Sequence, residues 1–196
     1  MVTRTSNQNR TTAETDVTVE LDLDGSGKGD IDTGIGFLDH LLTSFSHHGM
    51  FDLTVRTKGD LEVDDHHSVE DTMLMVGSAV ADALGDRSGI QRFGSAAIPM
   101  DEALATVSLD VSGRPYTVLD INLTSDRIGE LTSQNVPHCL EAFTRTAGIT
   151  LHIKSTGNND HHVAEATFKG LAVALRQAVA IDERRLGVAS TKGVLS

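Results

Sequence analysis

Two short stretches of the chain hold residue types that could do chemistry: DDHHSVEDT at residues 64–72 and NNDHHVAEAT at 158–167. Each sets adjacent histidines among carboxylates or amides, with a glutamate three places after the second: His66-His67-x-x-Glu70 and His161-His162-x-x-Glu165. On a helix, residues three and four apart lie on one face, so each glutamate stands beside its histidines. Adjacent helical residues point about 100° apart, so two neighbouring imidazoles do not easily ligate one ion. The pattern predicts that one histidine of each pair serves one metal and its neighbour serves another. A capped helix start with solvated histidines would explain a single copy. It does not explain two, because solvated surface needs no such doubling.

The doubling extends well beyond these stretches. Residues 37–84 align with residues 135–179, setting His40 against His138, Phe45 against Phe143, and Gly49 against Gly148. The alternating FDLTV likewise falls on ITLHI. Two copies are too few for a solenoid and point to halves related by a pseudo-twofold axis. His40 lies on the polar side of a helix whose apolar stripe is Phe37, Leu41 and Phe45, and His138 takes the same place in the other copy. Matched histidines in a unit that also carries the double pairs make both further ligands. Six histidines and two glutamates then suffice for two sites of three His and one Glu. Symmetry suggests His40, His67, Glu70 and His161 in one, and His138, His162, Glu165 and His66 in the other. The exchange could occur within a chain or between chains. Imidazole and carboxylate ligands without thiolate admit Mn, Fe, Co, Ni or Zn. Cys139, next to His138, reads as a small buried side chain.

These side chains must be held by α+β halves. Phe37, Leu38, Leu41, Leu42 and Phe45 recur at helical spacing, and Gly49 is placed to end that helix. Phe51, Leu53 and Val55 alternate with polar residues as a half-buried strand does. A second helix begins near each histidine pair, after the cap-type residues Asp64 and Asp65 or Asn159 and Asp160. Further strands are expected over 17–23, 105–111 and 116–123. The fold class is a duplicated pair of related halves, each a mixed sheet covered on one face by two helices. The polar stretch TSDRIGELTSQN at 124–135 reads as the connector, giving a first half of 1–123 and a second of 124–196.

Composition narrows the function classes. The chain of 196 residues carries a formal net charge of −12, with five lysines among its sixteen basic residues. No broad cationic surface exists to release counterions, which disfavours a nucleic-acid or anionic-membrane partner. One cysteine excludes an internal disulfide and fits a reducing compartment. The N-terminal stretch MVTRTSNQNR is polar, with no apolar leader, and a cytoplasmic enzyme is expected.

GFLDHLL, HGMFDL, DDHHSVEDT, IPMDEAL, SGRPY, AGITLHI, HHVAEATFKGLAVALRQA and TKGVLS together resemble imidazoleglycerol-phosphate dehydratases, from about Arg10 to the C-terminus. The resemblance implies an enzyme of histidine biosynthesis with two Mn²⁺ ions per active site. It also implies a 24-subunit shell built from trimers, with sites between subunits. It assigns the ligands His40, His66, His67, Glu70, His138, His161, His162 and Glu165, and makes Glu14 the catalytic acid/base. It gives the phosphorylated imidazole substrate to His48, Arg92, Arg114, Ser190 and Lys192.

The implied reaction explains why two metals are useful. Dehydrating imidazole glycerol phosphate removes a carbon-bound hydrogen that no carbonyl acidifies, so the substrate's imidazole must supply the electrons. With each ring nitrogen on one metal, an imidazolate can expel the hydroxyl through a diazafulvene-like intermediate and give imidazole acetol phosphate after tautomerisation. Two other readings share the ligand set: a dinuclear metallohydrolase, which would release inorganic phosphate, and a non-catalytic metal-assembled shell protein, which would not need Glu14, Arg92 or Lys192.

Overall fold

The computed structural model describes residues 3–195. Its first six principal elements are β1 (Thr5–Thr11), β2 (Thr15–Asp22), β3 (Gly29–Asp32), α1 (Gly36–Gly49), β4 (Asp52–Gly59) and α2 (His66–Leu84). The same order then recurs as β5 (Phe93–Met100), β6 (Ala103–Asp110) and β7 (Tyr116–Ile121), the short pair β8 (Arg127–Ile128) and β9 (Leu131–Thr132), then α3 (Asn135–Ala147), β10 (Thr150–Thr156) and α4 (Asp160–Val179). The two main sheets have orders β1-β2-β4-β3 and β5-β6-β10-β7. In both, the pairs are antiparallel except at one edge, where β3 runs parallel to β4 and β7 parallel to β10. The duplication read from the sequence is therefore a duplication of topology.

The boundary between the halves differs from the one expected at 124. Strands β5, β6 and β7 all precede that residue, yet they form a sheet with β10. A parallel pair needs a crossover helix between its strands. β7 therefore finds its partner only after α3, as β3 finds β4 after α1. The division falls between α2 and β5. The segment 124–135 is not a connector but a loop inside the second half. It is pinned at both ends: Asp160 accepts from the Thr124 and Ser125 amides at 2.9 and 2.6 Å, and Asp65 accepts from Thr132 N and Oγ1 at 2.6 and 2.7 Å.

Strand and helix periods place the core. Val17, Val19 and Leu21 of β2 and Leu53 and Val55 of β4 are buried, as are Ala105, Val107 and Leu109 of β6. The stripe Phe37, Leu38, Leu41, Leu42 and Phe45 of α1 is buried as its spacing required. Gly49 is the last residue of α1, and Met50 takes the left-handed cap at φ 59°. In α3 the glycine itself, Gly148, holds that conformation at φ 64°. Each long helix lies against its own half's sheet and carries the short helix of the other half, so α2 holds α3 and α4 holds α1. Phe45 and Phe143, which are repeat mates, meet edge to face at 6.1 Å. A residue can touch its own mate only near the axis that exchanges the halves, so these rings mark that axis.

The α2–α3 contact is close because Gly77 has no side chain. A Cβ there would stand 2.3 Å from Thr146 Oγ1 and 2.4 Å from the Phe143 carbonyl oxygen. Alanine gains about 1 kcal/mol over glycine in a helix, but overpacking a tight contact costs about 1–3 kcal/mol. Gly77→Ala should therefore lower stability in denaturant titration. An increase would mean that α2 and α3 can separate freely.

Candidate active site

The helix exchange brings six of the eight expected ligands into two groups. In the first, His40 of α1 and His161 of α4 place Nε2 3.0 and 3.1 Å from the same oxygen of Glu165. In the second, His66 Nε2 is 3.8 Å from one oxygen of Glu70, and His138 Nε2 of α3 is 3.6 Å from the other. Within each group one donor atom from every residue lies within 4.8 Å of the others. The rings of His66 and His138 stack at 4.7 Å, while Phe37 packs on His161 at 4.9 Å. His138 Nε2 is buried and has no hydrogen-bond partner. A buried ring nitrogen facing a carboxylate and a second imidazole suits a cation between them.

The grouping corrects the expected partition. His40 does share a group with His161, and His138 with His66, but the glutamates change places. Each joins the first histidine of its own pair, four residues before it, because i and i+4 lie closest on a helix face. The second histidines, turned about 100° away, lie outside both groups. His67 meets Asp60, whose oxygens are 3.2 and 3.1 Å from Nδ1, and His162 Nδ1 is 2.9 Å from Glu102. These hydrogen bonds raise both imidazoles above their ordinary pKa. The bond with His162 leads the causes that lower the Glu102 carboxyl to about 2.

A cation backs each grouped glutamate. Arg145 Nη2 stands 2.8 Å from Glu70, and Lys169 Nζ stands 2.7 Å from Glu165. Burial pushes the Glu165 carboxyl up, but the Lys169 and His40 contacts outweigh it and bring it to about 2. Neither cation was singled out in the sequence. Lys169 could have been, since it follows Glu165 by four residues. Arg145 reaches Glu70 only through the α2–α3 packing, and Asp60 and Glu102 likewise depend on tertiary structure.

Glu14 occupies the β1–β2 turn with its side chain 55% exposed and Oε1 3.9 Å from His67 Nε2. Thr12 Oγ1 accepts from its amide at 3.1 Å, and Asp60 N donates to its carbonyl at 3.1 Å. Next in the chain, Thr15 hydrogen-bonds Asp71 of α2. The turn has a counterpart between β5 and β6, where Asp101 lies 3.9 Å from His162 Nε2. The repeat therefore extends further toward the N-terminus than the sequence alignment.

The expected phosphate-binding residues differ in availability. Arg92 is bound to Asp110 at 2.7 and 2.8 Å and to the Ala189 carbonyl at 2.7 Å, so it holds the start of the C-terminal tail. Arg114 and Lys192 are exposed, and Ser190 Oγ accepts from the Lys192 amide at 3.2 Å. His48 lies in the last turn of α1, and its carbonyl receives Arg176 at 3.1 Å. Partial burial, then the Lys169 charge, lower its pKa.

Known proteins share this fold and sequence. The family model described as imidazoleglycerol-phosphate dehydratase matches residues 33–175. The chain belongs to the imidazoleglycerol-phosphate dehydratase family. It is 52% identical over 192 residues to the imidazoleglycerol-phosphate dehydratase of Methanocella arvoryzae, covering 98% of this chain and 100% of that one. It is also 52% identical over 195 residues to that of Haloarcula marismortui, covering both chains completely. The crystal structure of the Pyrococcus furiosus enzyme superposes with a TM-score of 0.83 at 39% identity, over 96% of this chain and 100% of that one. The chain is thus a dehydratase of histidine biosynthesis. The matched family segment contains all eight candidate ligands, whereas Glu14, Ser190 and Lys192 lie outside it.

The Glu165 environment gives a pH signature in the metal-free protein. Its carboxyl is lowered from 4.5 to about 2, so its stabilising contribution is complete above about pH 4.5 and lost as pH falls toward about 2. The stability advantage of wild type over Glu165→Gln should shrink over that window in urea titrations. A difference that stays constant across it would contradict the assigned environment.

Proposed function

We propose that the enzyme is a metal-dependent dehydratase that converts D-erythro-imidazole glycerol phosphate to imidazole acetol phosphate and water. The observation that carries this reading is the pair of His/His/Glu groups, each assembled from one helix of either half. The donors are nitrogen and oxygen only, and the orphaned Nε2 of His138 faces the space between its neighbours. That set fits Mn²⁺, with two ions per active site. His40, His161 and Glu165 would hold one ion, and His66, His138 and Glu70 the other. Three protein ligands leave room for more. His67 and His162, outside both groups in their own chain, would complete the sites of adjacent subunits in a 24-subunit shell. The ions would supply Lewis-acid polarisation of the substrate's imidazole ring.

The chain's own residues would handle the protons and the phosphate. Glu14 is exposed, has no Lys or Arg partner among the described residues and lies beside His67, so its carboxylate can collect the carbon-bound proton and its acid form can deliver a proton to the departing hydroxyl, which leaves as water. Arg114, Ser190 and Lys192 would take the phosphate, with Arg92 fixing the tail that carries the last two, and His48 would line the substrate channel. No helix of the described residues is long and apolar enough to cross a membrane, and we place the enzyme in the cytoplasm.

An assay for imidazole acetol phosphate, with and without added Mn²⁺, tests the activity. Release of inorganic phosphate in its place would indicate a hydrolase. Glu14→Gln keeps the size of the side chain and deletes the base. Metal content and assembly should stay normal while turnover falls about a hundredfold or more. Loss of metal, or retention of most of the rate, would refute the role of Glu14. Metal that binds only the assembled state must stabilise it by mass action. Chelation should therefore shrink the particle toward trimers or smaller, and Mn²⁺ should restore it. Unchanged sizing under both conditions would break that link.

A further inference from the structure

The two histidines outside the ligand groups share an environment that duplication alone does not explain. Asp60 follows directly after β4, whereas Glu102 lies in the turn between β5 and β6. These positions are not equivalent in the repeat, yet each carboxylate reaches Nδ1 of the second histidine of its own half. Simple copying would have left the same residue at the same position. Two different residues making one contact indicate that the contact matters for what it does.

The chemistry of the contact fixes the state of the ring. An ionised carboxylate only accepts hydrogen bonds, so Nδ1 must carry a hydrogen, and in the neutral ring, the form that binds a metal, the lone pair is then on Nε2. Glu102 is itself held, since its other oxygen accepts from the Asn158 and Asn159 amides at 3.1 and 2.8 Å. Asp60 is placed through its own amide, which donates to the Glu14 carbonyl at 3.1 Å. The carboxylates facing the two Nε2 atoms are Glu14 and Asp101, each 3.9 Å away and beyond hydrogen-bond distance. Each ring is thus clamped on one side and free on the other.

We infer that Asp60 and Glu102 are positioning residues that fix the tautomer and orientation of His67 and His162, so that each presents Nε2 to an ion. The inference rests on the metal reading above, in which that ion belongs to a neighbouring subunit. A carboxylate on the far nitrogen of a metal-bound histidine typically accounts for 10–100-fold in metal affinity.

Calorimetric Mn²⁺ titration of the metal-free protein tests it, with His162→Ala as reference. Glu102→Ala and Asp60→Ala should each weaken Mn²⁺ binding about 10–100-fold. Glu102→Gln should recover much of the loss, because its amide oxygen still accepts from Nδ1–H. In ¹⁵N spectra of histidine-labelled metal-free protein, taken at a pH high enough for the ring to be neutral, His162 should show the Nδ1–H form in wild type and a mixture of tautomers in Glu102→Ala. If His162→Ala weakens binding but Glu102→Ala and Asp60→Ala do not, the positioning role is wrong and the ligand assignment stands. If His162→Ala leaves binding unchanged, the ligand assignment fails and the positioning role falls with it. Lower thermal stability with unchanged affinity and tautomer would reduce Glu102 to a structural turn residue.

Discussion

Everything at the site depends on the exchange of helices across the pseudo-twofold axis. If each short helix packed on the long helix of its own half, His40 would face Glu70 and His138 would face Glu165. The exchange instead seats α1 on α4 and α3 on α2. Phe45 and Phe143 meet at the axis, and the buried apolar residues of both halves merge into one core. Neither half can then unfold without exposing the other's helix faces, and neither ligand group survives alone. The core is the device that positions the two His/His/Glu groups.

Charge is distributed with the same economy. The chain is strongly acidic, with a formal net charge of −12. Several of its carboxylates near the two ligand groups have a definite partner. Lys169 and Arg145 neutralise the two grouped glutamates, while Asp60 and Glu102 face imidazole nitrogens. Glu14 is different: it is exposed, and its ion-pair partner among the described residues is the His67 imidazole at 3.9 Å, beyond hydrogen-bond distance. An anion hydrogen-bonded by several donors is a poor base, and a carboxylate without such donors suits the proton transfer proposed for Glu14.

Much of this was legible in the sequence, because helical and strand periods are strong signals where residues are half-buried. The stripe of α1, the strands over β2, β6 and β7, and the pairing of His40 with His161 all followed from spacing and repetition. Other elements were silent. β1 is a polar edge strand, TSNQNRT, whose residues are mostly exposed, and β5 is built largely of small residues. Neither shows the apolar alternation that burial on one face imposes. The half boundary was misplaced because sheet membership is decided by pairing across a crossover, which no local pattern records. The glutamates were assigned to the second histidines on three-residue spacing, where the four-residue contact prevails. Arg145 and Glu102 act over long separations, and Asp60 acts across the loop before α2, so none is marked by helical or strand spacing.

The loop from 124 to 135 has a consequence beyond its hydrogen bonds. It grips the start of α4 through Asp160 and the start of α2 through Asp65. Those are the two turns that carry the double histidines. Between its anchors at Ser125 and Thr132 runs a fixed length of chain, partly stiffened by the β8–β9 pair. The loop therefore acts as a gauge block: its length limits how far apart the two ligand-bearing turns can stand. A surface loop of this kind would ordinarily tolerate insertion, but here an added residue would be read out as a change in the spacing of the two histidine pairs.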